Sequence, residues 1–158
     1  MKVYYDFNDG NGPVPAHQHP NGGGWVANSA WVQDTAYVAP DATVYGRAWV
    51  QEYARVLDNA RVYGNAIISG TAEVCGSARV LNKAMVYGNA MVYDNAMVSD
   101  KAMVFGSAMV CGRAKVWGKA RVYDDARVYG KASVYDDANV CGNARVTGNS
   151  IISGGKVW

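Results

Sequence analysis

The chain has 158 residues, 50% of them hydrophobic and 18% charged, a length that suits one folding unit and a balance too apolar for a disordered chain. Fifteen Lys and Arg against thirteen Asp and Glu leave a formal charge of +2, so no strong basic field argues for nucleic acid and no acidic surface for a mimic of it. The opening Met-Lys-Val-Tyr-Tyr-Asp lacks the apolar core of a secretion signal, and nowhere do about 18 apolar residues run together as a membrane span requires. The expectation is a cytoplasmic protein without a membrane partner.

Residues 1–24 precede any repeat. The run Asp6-Phe7-Asn8-Asp9-Gly10-Asn11-Gly12 spaces oxygen ligands as a calcium loop does but lacks the Glu that closes one, and reads better as an Asn and Gly turn. His17 and His19 point the same way on an extended chain and could share a metal with Asp6 or Asp9. The reading preferred here is plainer: a cap over the first repeat, helped by Trp25, Trp31 and Trp49, with the imidazoles hydrogen-bonded to that repeat.

From residue 25 to 153 one pattern governs. Val or Ile stands at every sixth position from Val26 to Ile152, 22 times in a row, and Ala stands two residues earlier from Ala30 to Ala144, with Ser150 closing the lane. A helix of 3.6 residues per turn would carry a six-residue repeat around its whole circumference, whereas an extended strand puts Ala and Val on one face. The second residue after each Val, from Gly46 to Gly148, is Gly eleven times, Asp five times, and Glu and Asn once each. Those types suit a sharp corner with a left-handed backbone. Strand and corner alternating every six residues make a coil, and stacked coils enclose an aliphatic interior.

These residues resemble the hexapeptide-repeat proteins, and the resemblance implies a single-stranded, left-handed parallel β-helix: a three-sided prism of about seven coils, about 35 Å long at about 4.8 Å per coil. The left hand follows from the resemblance alone. More narrowly, runs such as Val-Tyr-Gly-Asn-Ala-Arg and the entry Gly23-Gly24-Trp25-Val26 are similar to a group of bacterial and phage hexapeptide proteins, some labelled acyltransferase-like or polymer-forming. Hexapeptide acyltransferases, which use coenzyme A, set an imidazole base where a loop or neighbouring subunit closes over a face. Here the two histidines both precede the repeats, and no insertion interrupts the register. A carbonic anhydrase of this architecture needs three His around zinc. The residues therefore argue against catalysis, and the reading calls for no cofactor.

Function must then sit on the outward residues that flank each Val. Met85, Met91, Met97, Met103 and Met109, joined by Tyr87, Tyr93 and Phe105, form a band around the middle of the prism that suits a subunit interface, since Met repacks readily and such patches mark contact sites. The partner expected is the chain itself, as a homo-oligomer, with a trimer implied by the resemblance. After the band come Lys115, Arg121, Arg127 and Arg145 among Trp117, Tyr123 and Tyr129. These could clamp and stack a small anionic, nucleotide-like ligand between subunits, or simply make a solvated sheet face with the Asp-rich corners beside them. Those corners oppose nucleic acid, and four Thr make no ice-binding ladder.

Cys75 and Cys111 share a lane two coils apart, out of reach of a disulfide, and Cys141 falls on another face, so all three read as thiols. Residues 154–158 form a short tail. Because no polar cap follows Ile152, the last coils are expected to pack on a second copy, a contact that deleting residues 151–158 would remove.

Overall fold

The alternation of buried Ala and Val with outward residues gives, in a computed structural model describing residues 2–158, two-residue strands at every hexapeptide from Trp31–Val32 to Ile151–Ile152. Each strand pairs in parallel with the one 18 residues on, as Met85 with Met103 and Val86 with Val104. The coils are tied together by bonds such as the Tyr87 amide donating to the Val104 carbonyl at 3.0 Å.

Three sheets of ten, eight and seven strands result, one for each side of a prism of about seven turns. They are called here the ten-, eight- and seven-stranded faces. The chain is all-β and is a parallel β-solenoid. The core is one continuous stack in which the Val and Ala lanes from Ala36 to Val140 are 0% exposed. Ala occupies the positions beside the corners and Val or Ile the middle of each side, which fits a small cross-section with no room for larger residues.

All 18 corner residues from Gly46 to Gly148 have positive φ, the Asp, Glu and Asn included. Gly relieves the backbone at most of them. The acidic ones add a bond: the carboxylates of Asp58, Asp94 and Asp124 accept the amides of Gly76, Gly112 and Gly142, one coil on, at 2.9, 3.0 and 3.1 Å.

The N-terminal segment is more regular than a capping loop. Strands β1 (Tyr4–Tyr5) and β2 (Val14–Gln18) form an antiparallel hairpin, and β2 pairs antiparallel with β3 (Trp25–Ala27). The hairpin thus continues the ten-stranded face and covers its first edge. Phe7, 3% exposed, stacks on Tyr45 at 4.9 Å, and Tyr5 stacks on Trp25 at 4.5 Å. Trp31 and Trp49 lie elsewhere, on the eight-stranded face. At the other end, Lys156–Val157 pairs with Asn139–Val140, so the tail supplies one more strand to that face.

Candidate functional site

Outward side chains stack in columns because successive coils are in register, so a feature spread along the chain is divided among three faces. Met85 and Met103 share the eight-stranded face and Met91 and Met109 the seven-stranded one. Met97 stands alone on the ten-stranded face, between Arg79 and Lys115. All five are half-buried against their neighbours. Tyr87 and Phe105 stack at 4.9 Å, and Phe105 stacks on Tyr123 at 5.0 Å, in one aromatic ladder. Tyr93 belongs with the seven-stranded face, where its hydroxyl reaches the Met109 sulfur at 4.0 Å.

The basic and aromatic residues divide in the same way. Lys115 lies on the ten-stranded face beside Trp117, which stacks on Tyr135 at 4.5 Å. Arg121 lies beside Tyr123 on the eight-stranded face. Only the seven-stranded face gathers several of them: Arg127, Tyr129 and Arg145 line one groove of about 230 Å³ with Tyr93, Met109 and Cys111.

In that groove Arg127 and Arg145 sit on paired strands, in register, so two guanidiniums leave the same surface about 4.8 Å apart. Among the described residues the ion pairs are Arg55–Glu73 at 2.7 Å and Lys119–Asp137 at 3.9 Å, and neither arginine takes part. Two adjacent, uncompensated cations beside phenol rings attract a planar anion and repel each other without one. The Cys111 thiol and partial burial push the Tyr93 phenol up to about 12, so it stays a neutral donor.

The histidines are not brought together. His17 is exposed, with Nδ1 2.8 Å from the Asn28 side-chain oxygen. His19 is 2% exposed, with Nδ1 3.1 Å from the Asn21 carbonyl oxygen. Each imidazole is engaged through Nδ1 by a residue of the cap or first coil, and the Nε2 of His19 is buried without a partner. Asp9 accepts the amide of Asn11 at 3.0 Å and its carboxamide at 3.0 Å, bonds that hold its carboxyl below the usual range and close a turn. Among the described residues no group of three or more His, Cys, Asp or Glu is placed to hold a metal ion. The three cysteines are free. No helix is long and apolar enough to cross a membrane among the described residues.

Reading along the chain missed a polar cleft of about 340 Å³ under the hairpin, where Asp6, Asn8, Asp41 and Arg61 surround Thr43, whose hydroxyl is buried without a partner. Only the fold of residues 4–18 onto the ten-stranded face creates it, and no spacing signals it.

A fold of stacked coils with columns of outward residues defines a β-solenoid repeat protein. Comparison with protein families agrees: the chain is similar to the YdcK beta solenoid repeat over residues 54–70, 60–76, 84–100, 120–136 and 138–154. Each matched segment begins on the Ala of a hexapeptide, from Ala54 to Ala138, and covers about one coil. No curated protein and no solved structure matches the chain.

Proposed function

We propose that the chain is a non-catalytic β-helix of the hexapeptide kind that assembles with copies of itself and serves as a structural or binding scaffold. The observation that carries this reading is the outward surface. Met and aromatic side chains stand in stacked columns on flat faces that no insertion interrupts. Surfaces of that composition are covered in most proteins. Size exclusion with light scattering, at micromolar concentration, tests it: a whole-number multiple of the chain mass supports assembly, and the chain mass alone overturns it.

A second reading is favoured by the paired arginines. The groove holding Arg127, Tyr129 and Arg145 takes a small anionic, nucleotide-like ligand, which makes the protein a sponge for that ligand, suited to a phage or other mobile element. The guanidiniums bind the phosphates and the phenols flank the base. Calorimetric titration with a nucleoside diphosphate supports this reading if Arg127→Ala and Arg145→Ala each weaken binding, and overturns it if the wild type releases no heat.

A further inference from the structure

Sorted by coil, the outward residues of the eight-stranded face run Trp31, Trp49, Ile67, Met85, Met103 in one in-register column. The column is about 20 Å long. Trp31 and Trp49 are 47% and 50% exposed, although they belong to the first two coils of that face and stand beside each other at 5.4 Å. The matching columns elsewhere are broken by charge: Arg61 and Arg79 are neighbours on the ten-stranded face, and Arg55 and Glu73 on the seven-stranded one.

We infer that this face receives a second copy of the chain, the two prisms lying side by side and parallel about a two-fold axis that runs along the direction of coil stacking. The inference rests on the self-assembly proposed above and adds to it the face and the symmetry.

The charges fit this arrangement. Two copies related by such an axis face each other coil for coil, and the corner that precedes each strand lies opposite the corner that follows it on the other copy. The preceding corners carry the exposed Arg47, Lys83, Lys101 and Lys119, with Asp136 and Asp137 before the Asn139 strand, and the following corners the exposed Asp34, Glu52, Asp124 and Asp125. Asp100, also in a preceding corner, accepts the Gly118 amide at 3.3 Å, as Asp124 accepts that of Gly142 at 3.1 Å and Glu52 that of Gly70, and Asp137 lies 3.9 Å from Lys119. Across the axis the corners of Asp100 and Asp137 meet the uncharged corners of the partner's Ser107 and the partner's Asn143. Arg47 therefore meets Glu52 of the partner subunit, and Lys119 meets Asp125 of the partner subunit. A two-fold axis along the strands would reverse the coil order and bring like corners together. Centred on the Met85 coil, such an axis would set Arg47 against the partner's Lys119 and Glu52 against the partner's Asp125; centred on all eight strands it would set Arg47 against the partner's Asp137. Only the parallel arrangement sets Lys119 opposite Asp125.

The apolar residues fit the same axis. Each face has two outward lanes, one on either side of the inward Val, and the axis sets one lane against the other. Trp31 and Trp49 lie against the partner's Gln33 and the partner's Gln51, Ile67 against the partner's Ser69, Met85 against the partner's Tyr87, Met103 against the partner's Phe105, and Arg121 against the partner's Tyr123. Those rings form the stacked ladder at 4.9 and 5.0 Å, which offers sulfur–aromatic and cation–π contacts in sequence. A face about 34 Å long and up to about 20 Å wide buries up to about 1,300 Å² over both copies, above the roughly 1,000 Å² that a specific interface needs.

The test measures the mass and dissociation constant of the full chain by sedimentation equilibrium, with circular dichroism to verify folding. Trp49→Glu, at an exposed position, is expected to leave the fold intact and give monomers. Lys119→Glu alone and Asp125→Lys alone are each expected to weaken the dimer several-fold or more by placing like charges opposite each other. The double variant is expected to restore it, which no merely structural role of either residue would do. A wild-type dimer with this pattern supports the inference. A wild-type trimer, an oligomer that Trp49→Glu leaves whole, or a double variant no tighter than the singles overturns the face or the axis while leaving self-assembly standing. A wild-type monomer overturns both.

Discussion

The Asp58 carboxylate accepts the amide of Gly76, one coil further on, at 2.9 Å, while Asp58 itself holds φ at +53°. The residue thus does two things at a corner: it tolerates the left-handed backbone and it anchors the next coil. Asp58→Ala removes the bond and keeps the strain, and is expected to cost about 1 to 2 kcal/mol. Asp58→Gly also loses the bond but relaxes the backbone and costs less. Chemical denaturation of the two variants gives that order. Equal losses would mean that the left-handed backbone adds no strain and that the whole loss is that of the bond.

Glycine corners are tighter still. A β-carbon on Gly70 would lie 2.6 Å from the Gly88 carbonyl oxygen, at a φ of +71°. Gly70→Ala is expected to lower stability by about 2 kcal/mol or more, read as a drop in Tm. Gly148→Ala has the same left-handed φ, +65°, but no atom within 4 Å of the new carbon, so it is expected to cost less. The difference between them measures the close approach of the coils apart from backbone strain.

Beside its strand pairing and the Tyr5–Trp25 stack, the hairpin is anchored by Phe7 on Tyr45. Phe7→Ala is expected to cost about 3 kcal/mol locally and to make the segment before Trp25 the first site of limited proteolysis, while the coils resist cleavage. Loss of the coils at the same rate would show that hairpin and solenoid unfold as one unit.

Alkaline pH gives a separate handle. The Tyr93 phenol is pushed up to about 12, first by the hydrogen bond with Cys111 and then by burial. The unfolded phenol titrates near 10, so from about pH 10 to 12 the native state holds a proton that the unfolded state has lost. Its contribution to stability is complete below pH 10 and disappears as pH rises through that window. Tyr93→Phe is expected to flatten the fall in Tm over this range. An unchanged slope would contradict the assignment.

How much of this could be read from the residues follows from which forces act locally. The Val and Ala lanes from Val26 onward announce the coils because every buried residue obeys one period, and the corners announce themselves because few residue types accept their backbone. The Val14 to Gln18 strand was not legible: Pro13 and Pro15 obscure its alternation, and its partner Trp25–Ala27 lies beyond a glycine turn. The outward features needed the 18-residue register to be sorted. Read along the chain, five methionines make one band. Read by face, two of them extend a tryptophan and isoleucine column that the six-residue period hides, and Arg127 and Arg145 become neighbours only because their strands pair.

Native mass spectrometry on protein purified gently from cells tests the central claim of a self-assembling scaffold most directly, because one spectrum counts subunits and weighs any retained ligand. An even multiple of the chain mass is expected, bare for a scaffold alone or with the added mass of a nucleotide-like anion if the arginine groove is filled. A spectrum containing only the single chain would contradict self-assembly and remove the reason for the exposed tryptophan and methionine column.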